Sequence, residues 1–117
     1  MYVAILIRRL KPGKTYDDFI AAWYPEKGFD MPVAGPDLCV NIADEREIAA
    51  IAYLDVAERP SLEAVLERVA EQEAKRHTRI DHVIEATSVR GIYEVKDRFD
   101  FSTDETVAAT VPGRASR

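Results

Sequence analysis

Cysteine is almost missing from this chain: Cys39 stands alone among 117 residues. That excludes an internal disulfide and any metal site built on several thiolates. Long apolar runs are missing as well. The opening stretch Tyr2-Val3-Ala4-Ile5-Leu6-Ile7 falls far short of the roughly 20 residues that a bilayer-spanning helix needs. Arg8 and Arg9 follow it instead of preceding it, the wrong order for a secretory leader. Positive charge is in deficit, with 16 Lys and Arg against 21 Asp and Glu and a net charge of −5. A domain made to hold nucleic acid carries the opposite balance, because phosphate neutralisation drives that binding. There is no phosphate loop, dinucleotide fingerprint or nucleophile elbow, and no aromatic pattern of an RNA-binding sheet. The expectation is a soluble cytoplasmic protein with no nucleic-acid or membrane partner and no tightly held cofactor.

What is present is an ordinary globular composition, 47% apolar and 32% charged, of a length that fits one domain. Residues 2–9 read as a strand apolar on both faces, with Val3, Ile5 and Ile7 on one and Tyr2, Ala4 and Leu6 on the other, the pattern of a central strand covered twice. Lys11-Pro12-Gly13-Lys14 is a turn; Thr15 follows as an N-cap with Asp18 closing a capping box. Tyr16, Phe19, Ile20 and Trp23 keep helical spacing, and Pro25 ends that helix near Tyr24.

Residues 26–36 read as a loop. Residues 37–43 and 48–54 form a hairpin; if its turn centres on Glu45 and Arg46, residue 40 faces 51 and both sheet faces are mostly apolar. Pro60 and Ser61 open the longest helix, whose face runs through Leu62, Val65, Leu66, Val69, Ala70 and Glu73 and resumes at Ile80, Val83 and Ile84. Lys75–Arg79 marks a bend or a seam between two helices. Thr87–Lys96 is the closing strand, and beyond residue 101 the composition turns to that of a mobile tail.

The fold class is therefore α+β, in the order βαββαβ, with a four-stranded antiparallel sheet over residues 1–101. Crossover rules place the first and third strands in the middle, adjacent and parallel. Two helices can roof only one face of four strands that are apolar on both. The uncovered face needs a second copy, packed at about 10 Å across a two-fold axis. A homodimer is expected.

The opening strand, the Leu10–Lys14 turn, the helix with Phe19 and Trp23, the Ser61–Glu85 helix and the strand through Tyr93 together resemble the dimeric α/β-barrel superfamily. Within it they are most similar to the antibiotic-biosynthesis-monooxygenase and stress-responsive A/B-barrel types. The resemblance implies a ferredoxin-like subunit, a dimer forming a barrel, and often a pocket between sheet and helices. It implies no single activity. The haem-degrading members use an Asn, a Trp and a His; Asn41 and Trp23 stand on the wrong elements for that triad, and it is not carried over.

His77 reads as a general acid or base facing such a pocket, or as a half-buried histidine favoured by a helix C-terminus. His82, five residues on, lies roughly 140° around a continuous helix from it, so the pair does not share a metal. Asn41 is the one amide in an apolar hairpin and needs a partner: a ligand, a backbone group or the dimer mate. Cys39 reads as a small buried hydrophobe. Trp23 either lines a pocket for a flat ring or packs in the core, and Tyr53 and Tyr93 offer hydroxyls to an anion or to solvent. Lys75, Arg76 and Arg79 read as a solvated face with pairs such as Glu71–Lys75.

The leading expectation is a small-molecule-binding dimer acting on an apolar or aromatic metabolite, as a cofactor-independent oxygenase or isomerase, with His77 catalytic and Asn41, Trp23, Tyr53 and His82 binding. The alternatives are a non-catalytic structural or stress-related dimer with a packed barrel, and an ACT-like ligand-sensing module.

Overall fold

The computed structural model describes residues 1–23, 33–102 and 107–109, the last three and Val33 by their backbone. It is α+β, with one four-stranded antiparallel sheet and two helices. The strands are β1 (Tyr2–Leu10), β2 (Val33–Asn41), β3 (Asp44–Leu54) and β4 (Ile84–Glu94), joined in the order β2-β3-β1-β4. Helix α1 (Tyr16–Trp23) follows β1 and α2 (Arg59–Ile80) follows β3. A short ribbon pairs β5 (Arg98–Asp100) with β6 (Val107–Ala109).

The first and third strands are central and adjacent, but antiparallel rather than parallel. Direction follows from the connections. A helical crossover from β1 to β2 returns the chain in the same sense, and the tight hairpin then reverses β3.

Helix α1 begins as its sequence dictates. The Asp18 backbone N–H donates to Thr15 Oγ1 at 3.2 Å, and the Thr15 N–H donates to Asp18 Oδ2 at 2.8 Å, the reciprocal box that satisfies two otherwise orphaned donors. Helix α2 carries Pro in its first turn and runs unbroken to Ile80, so the charged stretch 75–79 is neither bend nor seam. Its side chains alternate between neighbours instead: Lys75 pairs with Glu71 at 3.4 Å on the exposed face, while Arg76 turns inward. The helix stops before the residue expected, because the Val83 N–H donates to the Ile80 carbonyl at 2.9 Å. That turn sends Val83 into the core and starts β4 at Ile84.

The hairpin departs from its expected register. Asn41 pairs with Asp44 and, past an irregularity, Val40 pairs with Ile48; the turn sits at residues 42–43, not at Glu45 and Arg46. Its cause is local. Asn41 Oδ1 accepts from the Ala43 N–H at 2.8 Å, the side-chain turn that asparagine favours. The odd shift exchanges faces relative to β2: Leu38 and Val40 now share a face with Ile48 and Ala50. Strand β2 also starts earlier than expected, at Val33. Gly35 and Pro36 fall inside it, at a register shift between Ala34 and Asp37 on an edge strand, where proline is tolerated. Gly35 has φ +99° and no room for a Cβ, which would sit 3.1 Å from the Ile51 carbonyl oxygen.

Both helices cover one face. Leu10, Phe19, Trp23, Ile48, Ile80 and Val83 form one core cluster, and Tyr2, Leu54 and Leu62 a second. The opposite face carries Val3, Ile5 and Ile7 of β1, Cys39 of β2, Ala49, Ile51 and Tyr53 of β3, and Val89 and Tyr93 of β4. None of these is buried, and Tyr53 and Tyr93 are 41% and 46% exposed. Cys39, expected to be buried, is exposed there because its strand is an edge and its face has no helix. Part of the expected 26–36 loop and most of the expected 102–117 tail lie outside the described residues; within the latter stretch, residues 107–109 pair with β5.

Candidate functional site

Strand β1 presents Tyr2, Ala4, Leu6, Arg8 and Leu10 to the helices. Alternation thus inserts one guanidinium into an apolar row, and Arg8 is only 4% exposed. Helix α2 turns the same face over it that holds Leu62, Val69 and Ile80, and this brings Glu73, Arg76 and His77 together. On β4, Arg90 pairs across from Leu6 and so also lies on the helix side. Ile92, next on that face, pairs with Ala4 and remains 38% exposed, so α2 leaves this edge of the sheet partly open.

Within the cluster, Arg8 Nη2 lies 3.4 Å from His77 Nε2. Arginine has donors and no acceptor, so His77 Nε2 accepts and its ring proton sits on Nδ1. Glu73 Oε2 is 3.8 Å from the same nitrogen, a contact that would favour the imidazolium. The cations prevail. Burial first, then Arg90 and Arg8, push the His77 pKa below its ordinary value of 6.5, against a smaller opposing pull from Glu73. Glu73 is also committed elsewhere, since its Oε1 receives Arg76 Nη1 at 3.1 Å. Burial lowers the Arg8 pKa as well; Glu73 opposes this, while Arg90 and Arg76 add to it. Among the described residues, neither Arg8 nor Arg90 has a carboxylate within 4.0 Å. Three guanidiniums, Arg8, Arg76 and Arg90, therefore act on the neighbourhood of His77 with one carboxylate, Glu73, among them.

Of the site residues expected from the sequence, only His77 belongs to this cluster. Trp23 is in the core at 8% exposure, stacked on Phe19 at 6.1 Å and capped by the Arg76 guanidinium 4.5 Å from its ring. The ring is thus packed among its neighbours, with the Arg76 guanidinium over it. Asn41 is exposed at the end of β2, donating to Glu47 Oε2 at 3.1 Å. The buried amide expected there is a turn residue instead. Tyr53 stands on the uncovered sheet face. His82 is exposed in the turn after α2, beside an open cleft of about 300 Å³ lined by Lys14, Asp18, Ala21, Ala22 and Val83. That cleft is far from enclosed, and its Asp18 already serves the α1 cap. No grouping of metal-binding side chains occurs among the described residues, and among them no helix is long and apolar enough to cross a membrane.

Sequence reasoning missed Arg8, Arg90 and the inward turn of Arg76. The signal for Arg8 was available, since it continues the parity of Tyr2, Ala4 and Leu6 toward the helices. The Arg90 face depends on pairing and on the extra residue that β4 inserts opposite the Ile7–Arg8 step, which no local pattern specifies.

No family model, no curated protein and no solved structure matches the chain.

Proposed function

We propose that the chain is a ferredoxin-like subunit of a homodimeric α/β barrel, and that it binds a small apolar or aromatic molecule between its sheet and α2. Supporting the subunit type is the strand order, which from the other edge is β4-β1-β3-β2, so that each helix-bearing connection passes over one intervening strand. Supporting the dimer is the uncovered face running from Val3, Ile5 and Ile7 to Ile51, Tyr53 and Tyr93, larger than a soluble monomer usually leaves bare.

The observation that carries the binding reading is the His77 imidazole, held neutral at the sheet–helix boundary beside Arg8 and Arg90. A neutral imidazole at pH 7 is a proton acceptor. A ligand that displaces the long Arg8 contact would meet the Nε2 lone pair. His77 would then remove a proton from carbon beside a carbonyl, leaving the electron pair on an oxygen facing the guanidiniums. That is a shared first step of isomerisation and of cofactor-independent oxygenation. A panel of aromatic and polycyclic ligands is expected to raise the melting temperature for at least one member, with His77→Ala abolishing turnover once a reaction is found. Light scattering is expected to find twice the 13.2 kDa subunit mass.

A second reading, a non-catalytic dimer with a packed interior, is favoured by Trp23, which is buried in the core against Phe19 and Arg76 instead of lining an open pocket. A ligand panel without any thermal shift would select it.

A further inference from the structure

We infer that the ligand of the Arg8–His77–Arg90 cluster is an organic carboxylate with an apolar body, its carboxylate on the two guanidiniums and its body along Ile92 of β4. This rests on the reading that the space between the sheet and α2 is a binding site, and it adds the ligand's charge and shape.

Charge sets the sign of the ligand. A guanidinium as buried as Arg8 is stable only with hydrogen-bonding and ionic compensation. Its one hydrogen-bond partner among the described residues is the neutral His77 ring at 3.4 Å, which supplies no negative charge. Glu73 supplies part of it while also pairing with Arg76 at 3.1 Å, so one carboxylate stands against the three guanidiniums of Arg8, Arg76 and Arg90 and leaves positive charge in excess. Arg8 and Arg90 each raise the local cost of the other. An anion placed between them offsets that repulsion, and a carboxylate matches the planar donor fork of arginine better than a spherical ion does.

Shape comes from the neighbours. The helix-facing row of β4 puts Ile92 directly after Arg90, opposite Ala4, and Ile92 is incompletely covered at 38% exposure. On the same side of the sheet, Val65 and Leu66 of α2 are partly buried against the cluster of Tyr2, Leu54 and Leu62. A ligand whose charge meets Arg8 and Arg90 would lay its remaining atoms on this apolar strip. His77 then lies at the charged end, where its acidity reports occupancy. Burial, then Arg90 on β4, Arg8 on β1 and Arg76 beside it on α2, hold its pKa down against Glu73. A bound anion opposes those cations and brings the pKa back up.

Sodium benzoate tests this against its neutral isostere benzamide and against inorganic phosphate, with the His77 imidazole resonances and their pH titration followed by NMR. Benzoate is expected to perturb those resonances saturably and to raise the His77 pKa, with benzamide binding at least tenfold more weakly. Arg90→Gln, an exposed position that the core does not need, is expected to weaken benzoate at least tenfold, and Arg90→Lys to restore part of the loss. Equal binding of benzamide and benzoate at His77 would overturn the carboxylate while leaving the site. Phosphate binding as tightly as benzoate would overturn the apolar body. No perturbation of His77 by any of the three would overturn the site itself.

Discussion

Arg8 and His77 meet across 3.4 Å, from the central strand to the long helix, with the guanidinium necessarily donating and the imidazole nitrogen accepting. A contact of this kind exists only while the ring is neutral. Protonation would turn it into repulsion between two cations, and Arg90 would add to the conflict.

Acid therefore weakens the fold through this residue. His77 has a folded-state pKa below the unfolded value, so between the two the unfolded chain binds the extra proton. Its contribution is complete above about pH 6.5, the ordinary histidine value, and fades as pH falls toward the lowered folded pKa. Melting temperature is expected to drop from pH 7 to pH 5, and His77→Gln to flatten that slope. An unchanged slope in the variant would remove His77 as its source.

The uncovered face is tested most directly at its middle. Ile51 pairs with Ile5 on one side and with Asp37 on the other, with no helix above it. Ile51→Glu is expected to leave circular dichroism intact and to convert the proposed dimer to a monomer in light scattering. Unfolding of the isolated subunit would instead mean that the side chain supports the tertiary core.

Tyr93 lays its ring over Gly91 on that same face. A Cβ at position 91 would lie 3.1 Å from the ring atoms, tighter than ordinary carbon contact. Gly91→Ala is expected to lift the ring and weaken self-association, with little further effect when Tyr93 is already alanine. A double-mutant cycle read by sedimentation equilibrium measures the coupling.

At the start of α1, Thr15→Ala removes the hydroxyl that accepts from the Asp18 backbone. The expected loss is about 1 kcal/mol, or roughly 4 °C in melting temperature for a domain of this size. Because α1 delivers Phe19 and Trp23 to the core, the loss should appear in global unfolding rather than in local fraying alone.

Much of the frame was legible because short-range patterns specify it. The Thr15–Asp18 box, the proline opening α2, the Glu71–Lys75 pair and the two-faced apolar character of β1 are each set by residues within a few positions of one another. The hairpin misled because Asn41 moved the turn by bonding to Ala43, and an odd shift in pairing reverses every side chain after it. Asn41 thereby left the candidate site, and Trp23 left it when Phe19 and Arg76 closed on its ring.

Periodicity alone determined the four strands of the main sheet and the two helices, though not the β5–β6 ribbon, and that two helices cannot cover both faces of the sheet. Where the charges meet was decided only by tertiary structure. Arg8, Glu73 with His77, and Arg90 come from three different elements, β1, α2 and β4, and each looks like a surface charge in its own segment. Strand pairing and helix docking, which depend on contacts across the whole chain, turn them toward one another.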